Sequence, residues 1–306
     1  MASVADCVNA YVRVHLRSEG RSPATLEWHG HVLGRFATWL RDGQHPSDVE
    51  DLSPLIIKTY MVSLIESTSK HGTPYSPHSL RSMHSSLRSF CKWLHSEGLT
   101  AQDTMSRVSQ PKTPKEHKPN LSPQEITLII RAAREGRRTP LRDEAIVLFL
   151  LDTGARASEV VGLTESDFDW HTHTALLRGK GAKDRRVPFS ALTAKALQRY
   201  ALKARTKQST AFFQSEEGQF LTRWGLGQLC RRLGERSQIS LNPHKFRHTF
   251  AITYLRAGGT VFALQKSLGH SSLDMSLRYS NMLTDDLVRE HQEHSPVEFV
   301  FAKKRP

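Results

Sequence analysis

The stretch Ser109-Gln-Pro-Lys-Thr-Pro-Lys-Glu-His-Lys-Pro-Asn120 divides the chain into two parts. It holds three prolines and three lysines and has no large apolar residue. Because proline interrupts helices and stiffens an extended chain, this composition predicts an interdomain linker. The following Ser-Pro-Gln-Glu at 122–125 is typical of a capped helix start. We therefore predict a first domain over residues 1–108, a linker over 109–120 and a second domain over 121–306.

The two parts differ in their predicted secondary structure. Before the linker, apolar residues recur at helical spacing through residues 26–40, 55–64 and 80–94, which predicts an all-α domain. After it, helical patterns at 126–133, 141–151, 194–204, 226–234, 245–255 and 261–268 surround two short strand patterns at 175–178 and 186–189. The strands flank a glycine-rich basic tip, Gly179-Lys-Gly-Ala-Lys-Asp184. We predict a mainly α fold with a small antiparallel β-sheet (α+β).

Charge indicates a polyanionic partner. The 306 residues include 43 Lys and Arg against 30 Asp and Glu, a formal charge of +13. Residues 1–110 carry 11 basic and 10 acidic side chains, whereas residues 111–306 carry 32 and 20. This asymmetry favours nucleic acid, held mainly by the second part, over a merely basic enzyme. No apolar run approaches a membrane span, the N-terminal stretch has no signal-peptide pattern, and three widely spaced cysteines suit a reducing compartment.

Five short segments of the second part carry residue types that suit phosphate chemistry. They are Thr153-Gly-Ala-Arg-Ala-Ser-Glu159, Gly179-Lys-Gly181, His244-Lys-Phe-Arg247, Leu268-Gly-His270 and Tyr279. Cleavage of a phosphodiester without a metal ion requires a nucleophile, donors that neutralise the phosphate oxygens, and an acid for the leaving oxygen. The order and spacing of these segments resemble the phage integrase, or tyrosine recombinase, family. Two-domain Xer-type and transposon-borne site-specific recombinases are the most similar members.

The resemblance covers nearly the whole chain and implies both a fold and a reaction. The first part would be a helical, SAM-like core-binding domain that binds double-stranded DNA, and the second a tyrosine-recombinase catalytic domain. The enzyme would cleave and rejoin DNA at specific sites through a 3′-phosphotyrosyl intermediate and a Holliday junction, with no ATP and no cofactor. Chromosome dimer resolution, phage integration and transposon movement or resolution all remain open as its biological role.

The resemblance also implies individual roles. Tyr279, nine residues after His270, would be the nucleophile. Arg156 and Arg247 would clamp the phosphate, because a guanidinium is permanently charged and donates two parallel hydrogen bonds to phosphate oxygens. His244 would transfer protons to and from the tyrosine, and His270 would form a hydrogen bond with the scissile phosphate.

The lysines of the glycine-rich tip are candidates for the general acid. The resemblance favours Lys180, the first lysine of the Gly-Lys-Gly segment, and Lys183 is the competing candidate. Glu159 is expected to support an arginine. No carboxylate-rich cluster in the sequence suggests a bound divalent ion, so we expect no metal site.

Further basic residues are candidate DNA contacts. One group lies on the face opposite the apolar stripe of the helix predicted over 80–94, and an ordinary solvated face is the alternative interpretation. A second group flanks the glycine-rich tip and is expected to contact phosphates. The predicted DNA-binding residues are Arg81, His84, Arg88, Lys92, Arg178, Lys183, Arg185 and Arg186.

The residues at the end of the chain differ from the common family pattern. Ser280-Asn281 follows the tyrosine where many members have Thr-His, and an apolar segment lies at 296–302. The resemblance implies that this segment docks on a neighbouring protomer in a tetramer on two DNA sites, or in a hetero-tetramer with a related recombinase. Packing on its own domain is the alternative. We expect a cytoplasmic bacterial protein associated with the nucleoid.

Two other functions compete with this interpretation. A monomeric type IB topoisomerase would share the chemistry, and the Xer-like first part and the apolar tail argue against it. A catalytically silent DNA-binding protein is disfavoured because all six candidate catalytic residues are present.

Overall fold

The computed structural model describes residues 2–69, 72–114, 119–179, 184–206, 208–270 and 272–280. The predictions made for Lys180, Lys183, part of the linker and the apolar segment at 296–302 lie outside these residues. The chain forms two compact units, Met1–His117 and Lys118–Pro306. The division falls within the proline-rich stretch 109–120.

The described residues of the first unit form helices joined by turns and loops. Helix α1 (Val4–Ala10) continues through a π-helical turn (Tyr11–His15) into α2 (Leu16–Ser18), and α3 (Pro23–Asp42), α4 (Pro54–Glu66) and α5 (Pro77–Ser96) follow. Each of α3, α4 and α5 has a serine at its N-cap and a proline in its first turn. Proline suits this position because the backbone N–H that it lacks would have no partner within the helix. The core holds the fully buried Leu33, Phe36 and Phe90. The three helices predicted from periodicity are confirmed, and α1 and α2 were not predicted.

The second unit places helices around a small sheet. Its first helices are α6 (Pro123–Arg134), α7 (Pro140–Thr153) and α8 (Ala157–Val161). The strands β1 (Phe168–Asp169), β2 (Thr174–Leu177) and β3 (Arg185–Pro188) form one antiparallel sheet in that order, with Leu177 opposite Arg185. The later helices are α9 (Ala191–Lys203), α10 (Arg223–Ser237), α11 (Pro243–Arg256), α12 (Val261–Leu268) and α13 (Leu273–Ser280). The predicted fold class, mainly α with a small antiparallel sheet, is confirmed.

The second unit is stabilised by a helix cap, an aromatic core and a smaller apolar cluster. Ser122 and Glu125 form the predicted capping box at the start of α6. The core is aromatic, with Phe149, Phe213 and Phe246 fully buried. A smaller apolar cluster of Ala251, Leu264 and Leu268 packs α11 against α12, and Tyr279 of α13 lies against it. No helix in the described part of the chain is long and apolar enough to cross a membrane.

Candidate active site

Arg156 lies in a tight turn between two helices. Helix α7 ends at Gly154, whose φ of 60° is a left-handed conformation, and a Cβ there would lie 2.4 Å from Cδ1 of Phe250. Arg156 then occupies the N-cap of α8 in extended conformation. Its backbone N–H donates to Glu159 Oε2 at 2.7 Å, and its Nη1 donates to Glu159 Oε1 at 3.0 Å. The turn therefore fixes the backbone of Arg156 and one side of its guanidinium, while the side chain stays 40% exposed.

Arg247 is a buried arginine on α11. Its Nη1 donates to the carbonyl of Gly154 at 2.8 Å and its Nη2 to the carbonyl of Leu268 at 2.7 Å. Burial and the neighbouring positive charge of Arg156 lower the pKa of Arg247 to about 10. The guanidinium is therefore still charged at neutral pH and is rigidly held between two chain segments that are distant in sequence. His244, one helical turn earlier, is exposed to solvent.

Glu159 is the buried carboxylate among these arginines. Its side chain is 2% exposed and forms ion pairs with Arg156 and with Arg185. Burial alone would raise the pKa of Glu159, but the hydrogen bonds from Arg185 and from Arg156 outweigh it, so the pKa is lowered. Glu159 is therefore an anion that orients two cations, as expected of a residue that supports an arginine.

His270 follows the end of α12. Gly269, with φ of 62°, ends that helix in the left-handed conformation, and His270 Nδ1 lies 2.8 Å from the hydroxyl of the fully buried Ser276. Burial, followed by the charges of Arg247, Arg156 and Arg185, lowers the pKa of His270 to about 4. The imidazole is therefore neutral at physiological pH.

Tyr279 lies on α13 beside the rings of His270 and His248. Its ring is nearly parallel to that of His270, with centroids 6.2 Å apart and an angle of 11°, and the His248 ring lies at 5.5 Å. Burial raises the pKa of Tyr279, and the charges of Arg247 and Arg156 oppose that rise. The phenol is therefore protonated at neutral pH and sits in a positive field that stabilises its anion.

Four of the six predicted catalytic residues are thereby brought into one region. Arg156, Arg247, His270 and Tyr279 are connected by hydrogen bonds, ring contact or electrostatic interaction. His244 lies on the same helix as Arg247, three residues earlier, and is exposed. Lys180 lies outside the described residues. Within the described part of the chain, no three His, Cys, Asp or Glu side chains are grouped as metal ligands.

The predicted DNA contacts on α5 divide into two groups. Arg81, Arg88 and Lys92 are exposed, and Arg81 donates to Thr113 Oγ1. His84 is fully buried, with Nε2 3.2 Å from the carbonyl of Val108, and burial lowers its pKa. The placement of His84 on a DNA-facing surface is therefore wrong. The physical reason is its spacing of four residues from Leu80 and three from Leu87, which puts it on the apolar face.

The arginines beside the hairpin tip also differ among themselves. Arg186 is exposed, and Arg178 is half exposed while paired with buried Asp167 at 2.6 Å. Arg185 is only 10% exposed, because its guanidinium is bound to Glu159. Its expected phosphate contact is thus corrected to an internal ion pair.

Ser276 and Arg185 are the site residues whose roles the sequence did not indicate. Ser276 lies three residues before Tyr279, so a helix over 273–280 puts both on one face. That helical spacing was the available signal. Nothing in the sequence pairs Arg185 with Glu159, which is 26 residues away.

Known proteins resemble both parts of the chain. The model of the phage integrase family matches residues 119–286, and that of the phage integrase N-terminal SAM-like domain matches residues 8–102. Tyrosine recombinase XerC of Oceanobacillus iheyensis is 31% identical over 300 residues, covering 94% of this chain and 95% of that protein. Tyrosine recombinase XerD of Corynebacterium glutamicum is 30% identical over 283 residues, covering 89% and 92%.

Solved structures share the fold. The crystal structure of XerA recombinase covers 95% of this chain and 98% of its own, with 26% identity and a TM-score of 0.51. The Tn1549 transposon integrase, solved in complex with a circular intermediate DNA, covers 91% and 95%, with a TM-score of 0.73. At 20% identity, the latter similarity is one of fold.

Proposed function

Because the chain belongs to the phage integrase family and is a site-specific tyrosine recombinase that breaks and rejoins DNA, we propose that Tyr279 is its nucleophile. The observation that carries this proposal is the position of the Tyr279 ring, parallel to His270 and within the field of Arg156 and Arg247. Attack of the phenolic oxygen on phosphorus forms a 3′-phosphotyrosyl ester and releases a 5′ hydroxyl. The ester conserves the energy of the phosphodiester, so rejoining needs no ATP.

The phenol has to lose its proton during attack. Its raised pKa means that few molecules carry the phenolate at neutral pH, and the two guanidinium groups stabilise the anion as it forms. His244, which is exposed on α11, receives or relays that proton, because a histidine side chain can accept and donate a proton. His270, which is neutral, donates a hydrogen bond from Nε2 to the phosphate when the Ser276 hydroxyl donates to Nδ1.

Arg156 and Arg247 bind the non-bridging phosphate oxygens. Charge increases on those oxygens in the transition state, and donors held rigidly in place stabilise it most because they do not have to reorganise. The two carbonyls that accept from Arg247 provide that rigidity and use two of the five N–H groups of a guanidinium. Lys180 is the general acid that protonates the leaving 5′ oxygen, and Lys183 is the competing candidate.

The enzyme binds DNA, and its charge of +13 suits the phosphate backbone. Arg81, Arg88 and Lys92 of α5, together with Arg178 and Arg186 beside the hairpin, are the proposed phosphate contacts. Four protomers act on two sites, either as a homo-tetramer or with a related recombinase, and the apolar segment 296–302 docks on a neighbouring protomer. The protein acts in the bacterial cytoplasm at the nucleoid.

Trapping of the covalent intermediate tests the nucleophile. The protein is incubated with nicked duplex fragments of the source genome, and the fragments that remain attached in SDS are sequenced, which also locates the cut. Tyr279→Phe should bind the recovered fragment and trap none of it, because it lacks the attacking oxygen. Tyr254→Phe, a change of the same kind on α11, should trap it normally. A covalent complex with Tyr279→Phe would refute the assignment.

The same fragments separate the enzyme classes. Two differently labelled copies of the recovered site should yield stable exchanged products with the wild-type protein. Relaxation of supercoils without exchange would instead indicate a topoisomerase activity, and binding without any covalent product would indicate a silent DNA-binding protein.

A further inference from the structure

Arg185 has an unusually complete set of partners. Its Nη1 and Nη2 donate to the two carboxylate oxygens of Glu159 at 2.7 and 2.9 Å, and its Nε donates to the carbonyl of Ser267 at 2.7 Å. This forked geometry holds a guanidinium in one orientation. Because only 10% of the side chain is exposed, Arg185 is bound to protein groups and presents little surface to DNA.

The carbonyls at the end of α12 connect Arg185 to Arg156 and Arg247. Three consecutive carbonyls each accept a hydrogen bond from a different arginine: Ser267 from Arg185, Leu268 from Arg247 and Gly269 from Arg156. The last carbonyls of a helix lack intrahelical donors and carry partial negative charge, which favours cations. The next residue in the chain is His270.

The fit around these carbonyls is close. A Cβ on Gly269 would lie 3.0 Å from Nη1 of Arg185, so the glycine lets the guanidinium approach the backbone. The same guanidinium meets Oε1 of Glu159, which also accepts from Nη1 of Arg156. Movement of Arg185 would therefore displace both Glu159 and the segment that precedes His270.

We propose that Arg185 is a positioning residue for DNA cleavage, which orients Arg156 through the Glu159 carboxylate and His270 through the Ser267 carbonyl. The inference rests on the proposed roles of Arg156 and His270 at the scissile phosphate. Arg185 is also the first residue of β3, so it ties the base of the β2–β3 hairpin to both groups. Its contribution is to the rate of the chemical step and not to DNA affinity.

The test compares Arg185→Gln with Arg142→Gln. Arg142 is a matched control, since it is 5% exposed, paired with buried Asp143, and donates to the carbonyl of Gln214 at 2.7 Å, outside the site. With the nicked fragment recovered by the wild-type protein at saturating concentration, Arg185→Gln should cleave roughly 100-fold more slowly, as an error of about 1 Å in position would cause. Arg142→Gln should cleave at the wild-type rate per correctly folded molecule.

Two further measurements separate positioning from other roles. The Kd of Arg185→Gln for intact duplex and the slope of log Kd against log salt should equal those of the wild type. A weaker Kd with a slope reduced by about one would identify a phosphate contact and overturn the proposal. The burst of covalent product gives the fraction of active molecules, and each cleavage rate is divided by that fraction. If Arg185→Gln lowered only the active fraction and left the rate per active molecule unchanged, as expected for Arg142→Gln, the proposal would also be overturned.

A conservative variant keeps the test decisive if the glutamine variant does not fold. Arg185→Lys retains the charge but cannot donate to both Glu159 oxygens and Ser267 together, so its cleavage rate should fall while Kd is unchanged. A wild-type rate in Arg185→Lys would overturn the proposal. Failure of the proposed function looks different, because it would appear as a covalent complex formed by Tyr279→Phe or as none formed by the wild type.

Discussion

Replacement of Glu159 by Gln removes the buried charge that the three arginines share. The carboxylate accepts from Arg156 and Arg185 through four hydrogen bonds of 2.7–3.0 Å, and its side chain is 2% exposed. A glutamine of nearly equal volume leaves the space filled but supplies one acceptor oxygen and no charge. Arg156, Arg185 and Arg247 then repel each other without compensation.

The expected loss of stability follows from this geometry. Removal of one partner from a buried ion pair costs about 3–5 kcal/mol, a large part of the roughly 5–15 kcal/mol that stabilises a domain. For a domain of this size each kcal/mol lowers Tm by about 2–4 °C, so the melting temperature should fall by roughly 6–20 °C. The pKa of Glu159 is lowered by folding, so its stabilisation is present above the unfolded pKa of about 4.3 and lost as pH falls through the folded value.

Differential scanning calorimetry of the full-length protein at pH 7 measures this effect. Glu216→Gln is the matched control, because Glu216 also pairs with an arginine, Arg138, but both side chains are exposed, at 40% and 80%. Exposed pairs contribute about 0–1 kcal/mol, so its transition should shift by less than about 4 °C. If Glu159→Gln melts within 2 °C of this control, the carboxylate is not the electrostatic centre of the site and the reasoning fails.

Three further predictions concern neighbouring residues. The imidazole of His270 should titrate well below pH 6.5 in an NMR pH series, and a midpoint at or above 6.5 would contradict its burial among arginines. Because folding lowers this pKa, the folded state should lose stability as pH falls from 6.5 towards 4. Ser276→Ala should slow cleavage roughly five- to tenfold through loss of one hydrogen bond of about 1 kcal/mol to that ring, and an unchanged single-turnover rate would exclude a role for the hydroxyl. Gly154→Ala should cost about 1–2 kcal/mol from its left-handed backbone, with a further cost from the clash with Phe250, and a wild-type urea midpoint would show that the turn relaxes freely.

The sequence was informative where local patterns carry physical consequences. The helical periodicity of α3 and α5 reflects burial of one helix face. Gly154 suits the end of α7 because glycine accepts a positive φ. The same periodicity, applied strictly to α5, would have placed His84 in the core. The π-helical turn between α1 and α2 has no comparable sequence signal, so that region was not predicted.

By itself, the sequence determined the identity and order of the chemical groups: a tyrosine, two arginines, two histidines and a lysine in spaced segments, with an excess of positive charge. Only the tertiary structure decided which groups face each other. Hydrogen bonds from Arg247 to Gly154 and from Arg185 to Glu159 join segments 93 and 26 residues apart, and no local periodicity encodes such contacts. Their energies depend on burial, which is a property of the packed domain and which makes Arg185 an internal support instead of a DNA contact.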